Sequence, residues 1–557
     1  MRGVDWVVLI VSLVGIIGYG LYRARGSNTV ESYLLAGRTM RWWVIGLSIM
    51  ATQASAITFI GTTGQGYVDG LRFVQFYFGL PIAMVIISAI AVPLFFRSNV
   101  YTAYEYLEKR FDSKTRTLAS IVFLVQRGLG VGLALYAPAV VLSVIMGWPE
   151  PVTIAAMGVL VVTYTVIGGI KAVMWTDAQQ MMVMLAGIVA AFLAAVWGLP
   201  SDTSFLDAIH LAGITGKMQA VDLNFDWENR YNLWSGLIGG TFLALSYFGT
   251  DQSQVQRYLT GKSIRHMRIS LLFNAVVKVP LQFVILLTGA LVFAFFVYVE
   301  PPLLFNPVER AKMEERQDGT YQAVQSRYRD AWSVRSEAAR RVSGSGDTSA
   351  ENVFVAANSE LNVIRQEAIG LVEESNGGET YNDTNYIFLN FVIGYLPAGL
   401  VGLVMAAVFA AAMSTISAEL NSLATVTVID HYRRYLFRNR SDAHYQRVAK
   451  ISTAFWGVYA TVFASFGGQL GSLIEAVNVV GSLFYGSMLG VFVLAFSPWR
   501  VNGFGAFSGM IAGLAAVAWT ASYTEVTFLW YNLVGCVVTV LVGLALGRSG
   551  AQRDSVV

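Results

Sequence analysis

Thirteen apolar runs, most of them about 20 residues long and bounded by charged or turn residues, follow one another along the chain. A helix crossing a hydrocarbon core of roughly 30 Å needs about that many apolar residues, so each run predicts a membrane span. They lie near residues 5–22, 42–67, 73–96, 116–145, 150–169, 177–198, 232–255, 268–298, 386–429, 447–466, 470–496, 503–521 and 526–547. The first is followed by Arg23 and Arg25 and not by a small-residue cleavage site, the flank of a retained helix. The expected fold is an all-α polytopic membrane protein.

Short loops predict the orientation, because Lys and Arg are retained on the cytoplasmic side. Arg97, Lys109, Arg110, Lys114 and Arg116 follow the third span, Arg257, Lys262, Arg265 and Arg268 the seventh, and Arg433, Arg434, Arg438 and Arg440 the ninth. All three loops share one side, which puts the N-terminus outside and the C-terminus in the cytoplasm of a cell whose plasma (inner) membrane holds the chain. Residues 299–385 break the pattern with 9 basic and 15 acidic residues and are expected outside. The chain therefore divides into residues 1–298 with spans one to eight, the charged insertion 299–385, and residues 386–557 with the last five spans and a short tail. The insertion reads equally as a cap over the substrate's way in and as a solvated addition with no part in transport.

Composition narrows the function. Hydrophobic residues make up 55% of the 557 and charged ones only 13%, against about 25% in soluble domains. The formal charge of +3 offers no basic face for nucleic acid. One cysteine, Cys536, excludes intramolecular disulfides and cysteine-based metal sites, and the four histidines all lie between apolar runs. A membrane enzyme would need an assembled acid, base or metal site, and the spans contain neither HExxH nor paired carboxylates. A solute sensor would normally carry a signalling domain.

Polar groups concentrate in two spans. The second reads Met50-Ala-Thr-Gln-Ala-Ser-Ala-Ile-Thr, with Thr52, Gln53, Ser55 and Thr58 near mid-bilayer; the ninth reads Ala410-Ala-Ala-Met-Ser-Thr-Ile-Ser-Ala-Glu-Leu-Asn. Such residues can bond back to their own helix or serve close packing. They also have the composition of a Na+ cage, which takes about five oxygens from unwound main chain and facing hydroxyls. Such a cage cannot accept a proton near neutral pH, which favours Na+ as the coupled ion, with Asp177 the nearest rival proton site.

Five ordered motifs now carry a resemblance that spans nearly the whole chain. They are Ser32-Tyr-Leu-Leu-Ala-Gly-Arg, Tyr101-Thr-Ala-Tyr-Glu-Tyr-Leu-Glu-Lys-Arg-Phe, Gly168-Gly-Ile-Lys-Ala-Val-Met-Trp-Thr-Asp, Gly249-Thr-Asp-Gln-Ser-Gln-Val-Gln-Arg-Tyr-Leu and Leu420-Asn-Ser-Leu-Ala-Thr-Val. The sequence resembles the solute:sodium symporters, which have the inverted-repeat architecture of the leucine transporter. The resemblance implies that spans 2–6 and 7–11 form two inverted five-helix repeats, with helices 2 and 7 broken near the midplane. It implies a Na+ site from the carbonyls of Ala51, Ala54 and Ala411 and the hydroxyls of Ser414 and Thr415. Asp177 matches an acidic residue on the ion's cytoplasmic route, part of a second Na+ site in some members; alternatively it is a helix N-terminal carboxylate near the surface.

By the same resemblance Gln53, Ser55, Thr58, Phe73 and Tyr77 face the substrate, Tyr247 and Phe248 form an aromatic gate, and Asn478 supplies an amide. Each aromatic reads equally as core. Lys278 matches a substrate-binding lysine of sugar-transporting members, yet Tyr77 replaces an acidic residue and Ala244 an amide that those members use. Arg127 stands about eleven residues into the fourth span, a depth of roughly 16 Å, and so needs a negative partner. Either it pairs with an internal carboxylate such as Asp177 or with helix-end carbonyls, or it joins Lys278 in making the pocket cationic. The expected function is Na+-coupled uptake of a small polar solute by alternating access, with a carboxylate or sugar acid as candidate and a neutral sugar or polyol as the alternative.

Overall fold

A computed structural model describes residues 1–26, 29–316, 319–345, 348–466 and 473–547. No strand occurs among them; one isolated bridge joins Met40 to Gly261. The helices used below are labelled in chain order: α1 Gly3–Ala24, α2 Trp42–Gln53, α3 Ala56–Val68, α4 Ser113–Met146, α5 Glu150–Trp197, α6 Gly240–Gly249, α7 Gln252–Leu259, α8 Ile264–Tyr298, α9 Thr320–Ser345, α10 Thr348–Ser375, α11 Leu400–Val426 and α12 Leu473–Phe496.

Among the described residues nine helices are long and apolar enough to cross a membrane, and a bent pair within the second expected span makes a tenth. The expected count of thirteen is not returned, for physical reasons that differ from run to run. The fifth and sixth runs are continuous in α5, whose 48 residues would span about 72 Å if straight. The chain turns inside it at Gly169, with φ 58° and ψ −164°, a region closed to side-chain-bearing residues. The seventh run is divided among short helices, and the run 386–429 is split at Leu396-Pro-Ala-Gly into Thr384–Tyr395 and α11.

Both expected breaks are present. α2 stops at Ala54 (φ −85°, ψ 66°), Ser55 then caps α3 by accepting the Thr58 N–H at 3.3 Å, and the two axes bend by 57°. α6 stops at Thr250 (φ −130°), and Asp251 caps α7 by accepting the Ser253 N–H at 2.9 Å. α11, buried along nearly all its length, packs against α5, α4, α2 and α3 and so runs beside the first break.

The charged insertion folds as helices Pro307–Glu314, α9 and α10 around its own apolar core of Leu304, Tyr321, Val324, Leu361, Ile364 and Ala368 among others. It sits on the end of α8. Arg335 and Trp332 both donate to the Phe296 carbonyl, at 2.8 and 3.2 Å, and Tyr67 at the end of α3 meets Phe293, Phe296 and Phe305 edge-on. α8 begins beside Arg265 and Arg268, so the insertion and the basic loops lie at opposite ends of a helix about 52 Å long.

Candidate functional site

The break between α2 and α3 frees the terminal carbonyls of α2, which have lost their i+4 donors. α11 meets them. The Thr415 hydroxyl donates to the Thr52 carbonyl at 3.0 Å and to the Ala411 carbonyl at 3.2 Å, while Ala51 and Ala54 flank Thr52 and Gln53 on the same few residues. Thus Ala51, Ala54, Ala411 and Thr415, expected around Na+ from two distant stretches of sequence, share one locus. Thr52 is a carbonyl that the sequence reading did not assign.

Ser414 joins this stretch to a buried carboxylate. Its hydroxyl donates to Asp177 Oδ1 at 2.7 Å, Ser48 of α2 donates to Oδ2 at 2.6 Å, and Arg257 of α7 lies 3.2 Å from the same oxygen. Asp177 is fully buried in the second half of α5 and is surrounded by three other helices, so it is no surface cap. Ser48 was not singled out from the sequence, and Arg257 was read there as a basic loop residue, whereas it is fully buried in α7.

The substrate-facing candidates lie at the break and beyond it. Thr58 Oγ1 donates to the Gln53 carbonyl at 3.4 Å, and Gln53 Oε1 is buried with no hydrogen bond among the described residues. Phe73 and Tyr77 belong to the helical stretch Gly70–Tyr77 and meet edge-on with centroids 6.0 Å apart. The Lys278 ammonium lies over the Tyr77 ring at 5.2 Å. Its Nζ has no hydrogen bond and no carboxylate partner among the described residues, although the side chain is fully buried. One turn along α8, Gln282 is also fully buried with both amide atoms unpartnered, a residue that sequence reasoning passed over.

Packing places this polar stripe of α8 opposite the break. Asn274 donates to the Gly46 carbonyl at 3.1 Å on one side, and a methyl on Gly66 would strike the Leu286 carbonyl on the other. Lys278 and Gln282 fall between those two contacts, level with residues 50–60 of the facing helices. Close approach there requires glycine at 66, whereas a side chain at 46 would press on the Phe273 ring.

Arg127 occupies a separate, fully formed network. Its Nε donates to Asp251 at 2.6 Å, Nη1 to Glu419 at 2.7 Å and Nη2 to the Tyr485 hydroxyl at 2.5 Å. Its guanidinium also covers the Tyr247 ring at 5.2 Å, and Tyr247 packs on Phe248 and Tyr485. Two carboxylates thus face one cation, and Glu419 Oε2 has no hydrogen bond among the described residues. The four partners come from α6, α11, α12 and the cap of α7, so the network ties α4, of the first expected repeat, to elements of the second. The Asn478 side chain lies outside the described residues.

Among the described residues no group of three or more His, Cys, Asp or Glu could hold a metal ion. Oxygen from carbonyls, hydroxyls and Asp177 is what the locus offers, a donor set suited to an alkali cation.

The sodium:solute symporter family model matches residues 33–317 and 364–513. Sodium-coupled monocarboxylate transporter 2 of Mus musculus is 27% identical over 520 residues, covering 93% of this chain and 72% of its own length. Sodium-dependent multivitamin transporter of Oryctolagus cuniculus is 28% identical over 532 residues, covering 94% of this chain and 71% of its own. Among solved structures, the substrate-bound outward-open state of a Na+-coupled sialic acid symporter, described as revealing a novel Na+ site, aligns with a TM-score of 0.78 at 22% identity. That alignment covers 99% of this chain and 98% of the other, and it shows a shared fold.

Proposed function

The chain belongs to the sodium:solute symporter family, is a multi-pass membrane protein that couples solute transport to Na+ and is a transporter and not an enzyme, and from that premise we propose that it imports a small carboxylate-bearing solute. The single observation that carries the substrate class is Lys278, a buried lysine without a counter-charge among the described residues, level with the helix break. An ionisable group inside the bilayer needs a partner. A solute carboxylate supplies it, and the free amide of Gln282 and the free Oε1 of Gln53 are available to the solute's other polar atoms. The names of the monocarboxylate and sialic acid relatives agree in chemistry with this reading. Arg127 is more than balanced by Asp251 and Glu419, so in this reading it bears on the pocket through Tyr247 and not as a second anion receptor.

For Na+, the proposed ligands are the carbonyls of Ala51, Ala54 and Ala411 with the hydroxyls of Ser414 and Thr415, and Asp177 lies on the ion's route. Ion and solute then share one unwound segment. Na+ held between α11 and residues 51–54 stiffens the same turn that presents Gln53, Ser55 and Thr58, so either ligand raises the affinity for the other. The membrane potential adds about 2.3 kcal/mol per charge per 100 mV to the inward drive.

Lys278→Gln is expected to reduce uptake of a monocarboxylate panel about tenfold, the loss of one hydrogen bond to a charged group, while Na+ still raises the melting temperature. If neutral sugars compete for wild-type uptake as well as their acid counterparts, the carboxylate assignment is wrong.

The proposed orientation puts the N-terminus and the insertion outside the plasma membrane. Ser359 is exposed on α10, and the native Cys536 is buried. In intact cells Ser359→Cys should therefore react with an impermeant thiol reagent. Reaction only after lysis would invert the topology.

A further inference from the structure

A cavity of about 360 Å³ opens at the end of the molecule that carries the basic loops, away from the substrate and ion loci. Its charged lining is Glu105, Lys109, Arg116, Arg433, Arg434 and Arg438. Arg116 is spent on the protein. It donates to Asp430 and Glu108, each at 2.7 Å, lies 3.5 Å from Glu105, and reaches the Ile429 carbonyl at 3.3 Å. Arg434 pairs with the other oxygen of Glu108. These two arginines use up the nearby carboxylates and form the inner wall.

The outer cations are not compensated. Lys109 donates to the Ser98 carbonyl, Arg438 Nε to the Arg434 carbonyl at 2.9 Å, and Arg433 lies over the Tyr445 ring at 5.3 Å. None of the three has a carboxylate partner among the described residues, so three positive charges converge on one opening. A polyanionic group with several acceptor oxygens fits them.

Neighbouring residues say where that group comes from. Between Arg434 and Arg438 the chain exposes Tyr435, Leu436 and Phe437 in succession, at 49%, 67% and 39%. Next to the lining residue Lys109, Arg110 donates to the carbonyl of Trp499, which is also exposed. Aromatic and aliphatic side chains beside a cluster of Arg and Lys belong at a membrane interface, with the rings at headgroup depth and the cations against phosphate. A ligand dissolved in water would leave the apolar row unexplained.

We propose that this cavity binds the phosphate of an anionic phospholipid headgroup, through Lys109, Arg433 and Arg438, with the lipid's apolar part lying along Tyr435–Phe437. Arg116 stands near the start of α4, which carries Arg127, and residues 427–436 continue α11, which carries Ser414 and Thr415. The lipid therefore sits at the basic end of the continuation of α11, against the inner wall that Arg116 of α4 forms.

The test uses the purified full chain in neutral-detergent micelles, titrated with phosphatidylglycerol or phosphatidylcholine, and separately with inorganic phosphate or glycerol 3-phosphate. Phosphatidylglycerol alone should raise the melting temperature, and Arg433→Gln with Arg438→Gln should shift the half-saturating lipid concentration upward about 30-fold. The double variant should melt like wild type in phosphatidylcholine. If it does not fold, Lys109→Gln by itself should shift the titration about fivefold. Equal stabilisation by glycerol 3-phosphate or inorganic phosphate would make the ligand a soluble anion and overturn the lipid assignment. An unshifted titration in the variants, or no response of wild type to phosphatidylglycerol, would overturn the site.

Discussion

Replacing Arg127 by glutamine is expected to destabilise the fold by about 3–5 kcal/mol, because it leaves Asp251 and Glu419 buried together without their cation. Few membrane proteins tolerate such a loss, so Arg127→Gln should yield little monodisperse protein and a sharply lower melting temperature. The network also predicts an asymmetry. Its two carboxylates face one guanidinium, so Glu419→Gln removes the excess negative charge and leaves Arg127 paired with Asp251. That variant should sit close to wild type, and adding Glu419→Gln to Arg127→Gln should recover part of the lost stability. Melting temperatures of the two single variants and the double variant measure this directly. Equal damage from Glu419→Gln and Arg127→Gln would show that charge balance does not organise the network.

The second large effect is expected at Ser414 and Thr415. Two of about five oxygens around the ion would be lost in Ser414→Ala with Thr415→Ala, each worth roughly 1.5 kcal/mol or more as a bond to a charge. Half-saturating Na+ for uptake should rise about a hundredfold. Melting in Na+-free medium should also fall, since Ser414 bonds to buried Asp177 and Thr415 to the Thr52 carbonyl on neighbouring helices, so the decisive readout is the Na+-induced rise in melting temperature, which the double variant should lose. Thr415→Ser keeps the hydroxyl and should retain most Na+ activation. A double variant with wild-type Na+ dependence would remove these residues from the ion site.

The broken helices were expected from the resemblance; of their local cause the sequence showed only the cluster of Gln53, Ser55 and Thr58 with glycines in an otherwise apolar span, and the Asp251 cap of α7 was not read from it. The meeting of Thr415 with residues 51–54 was also within reach, since both stretches are polar at the same depth. The partners of Arg127 were not. Asp251 and Glu419 stand 124 and 292 positions away, and both were visible only as acidic letters within motifs. Which of several buried carboxylates takes a given arginine depends on helix rotation, which hydropathy does not encode. Asp177 was a reasonable partner by charge, but Arg257, Ser48 and Ser414 already surround it. Gln282 was missed for a related reason: a lone glutamine in an apolar helix stands out only when its neighbours prove to offer it nothing.

The seat of the charged insertion gives it mechanical standing. Its weight rests on two members at once, the end of α8 through Phe296 and the end of α3 through Tyr67. The first is the rod that bears Lys278, and the second is the arm of the broken helix that follows the break. Any relative slide of those two helices must be absorbed at the aromatic joint of Tyr67, Phe293, Phe296 and Phe305 or passed on to α9 and α10. The insertion thus bridges the ends of α8 and α3, and a slide of one against the other would strain its contacts.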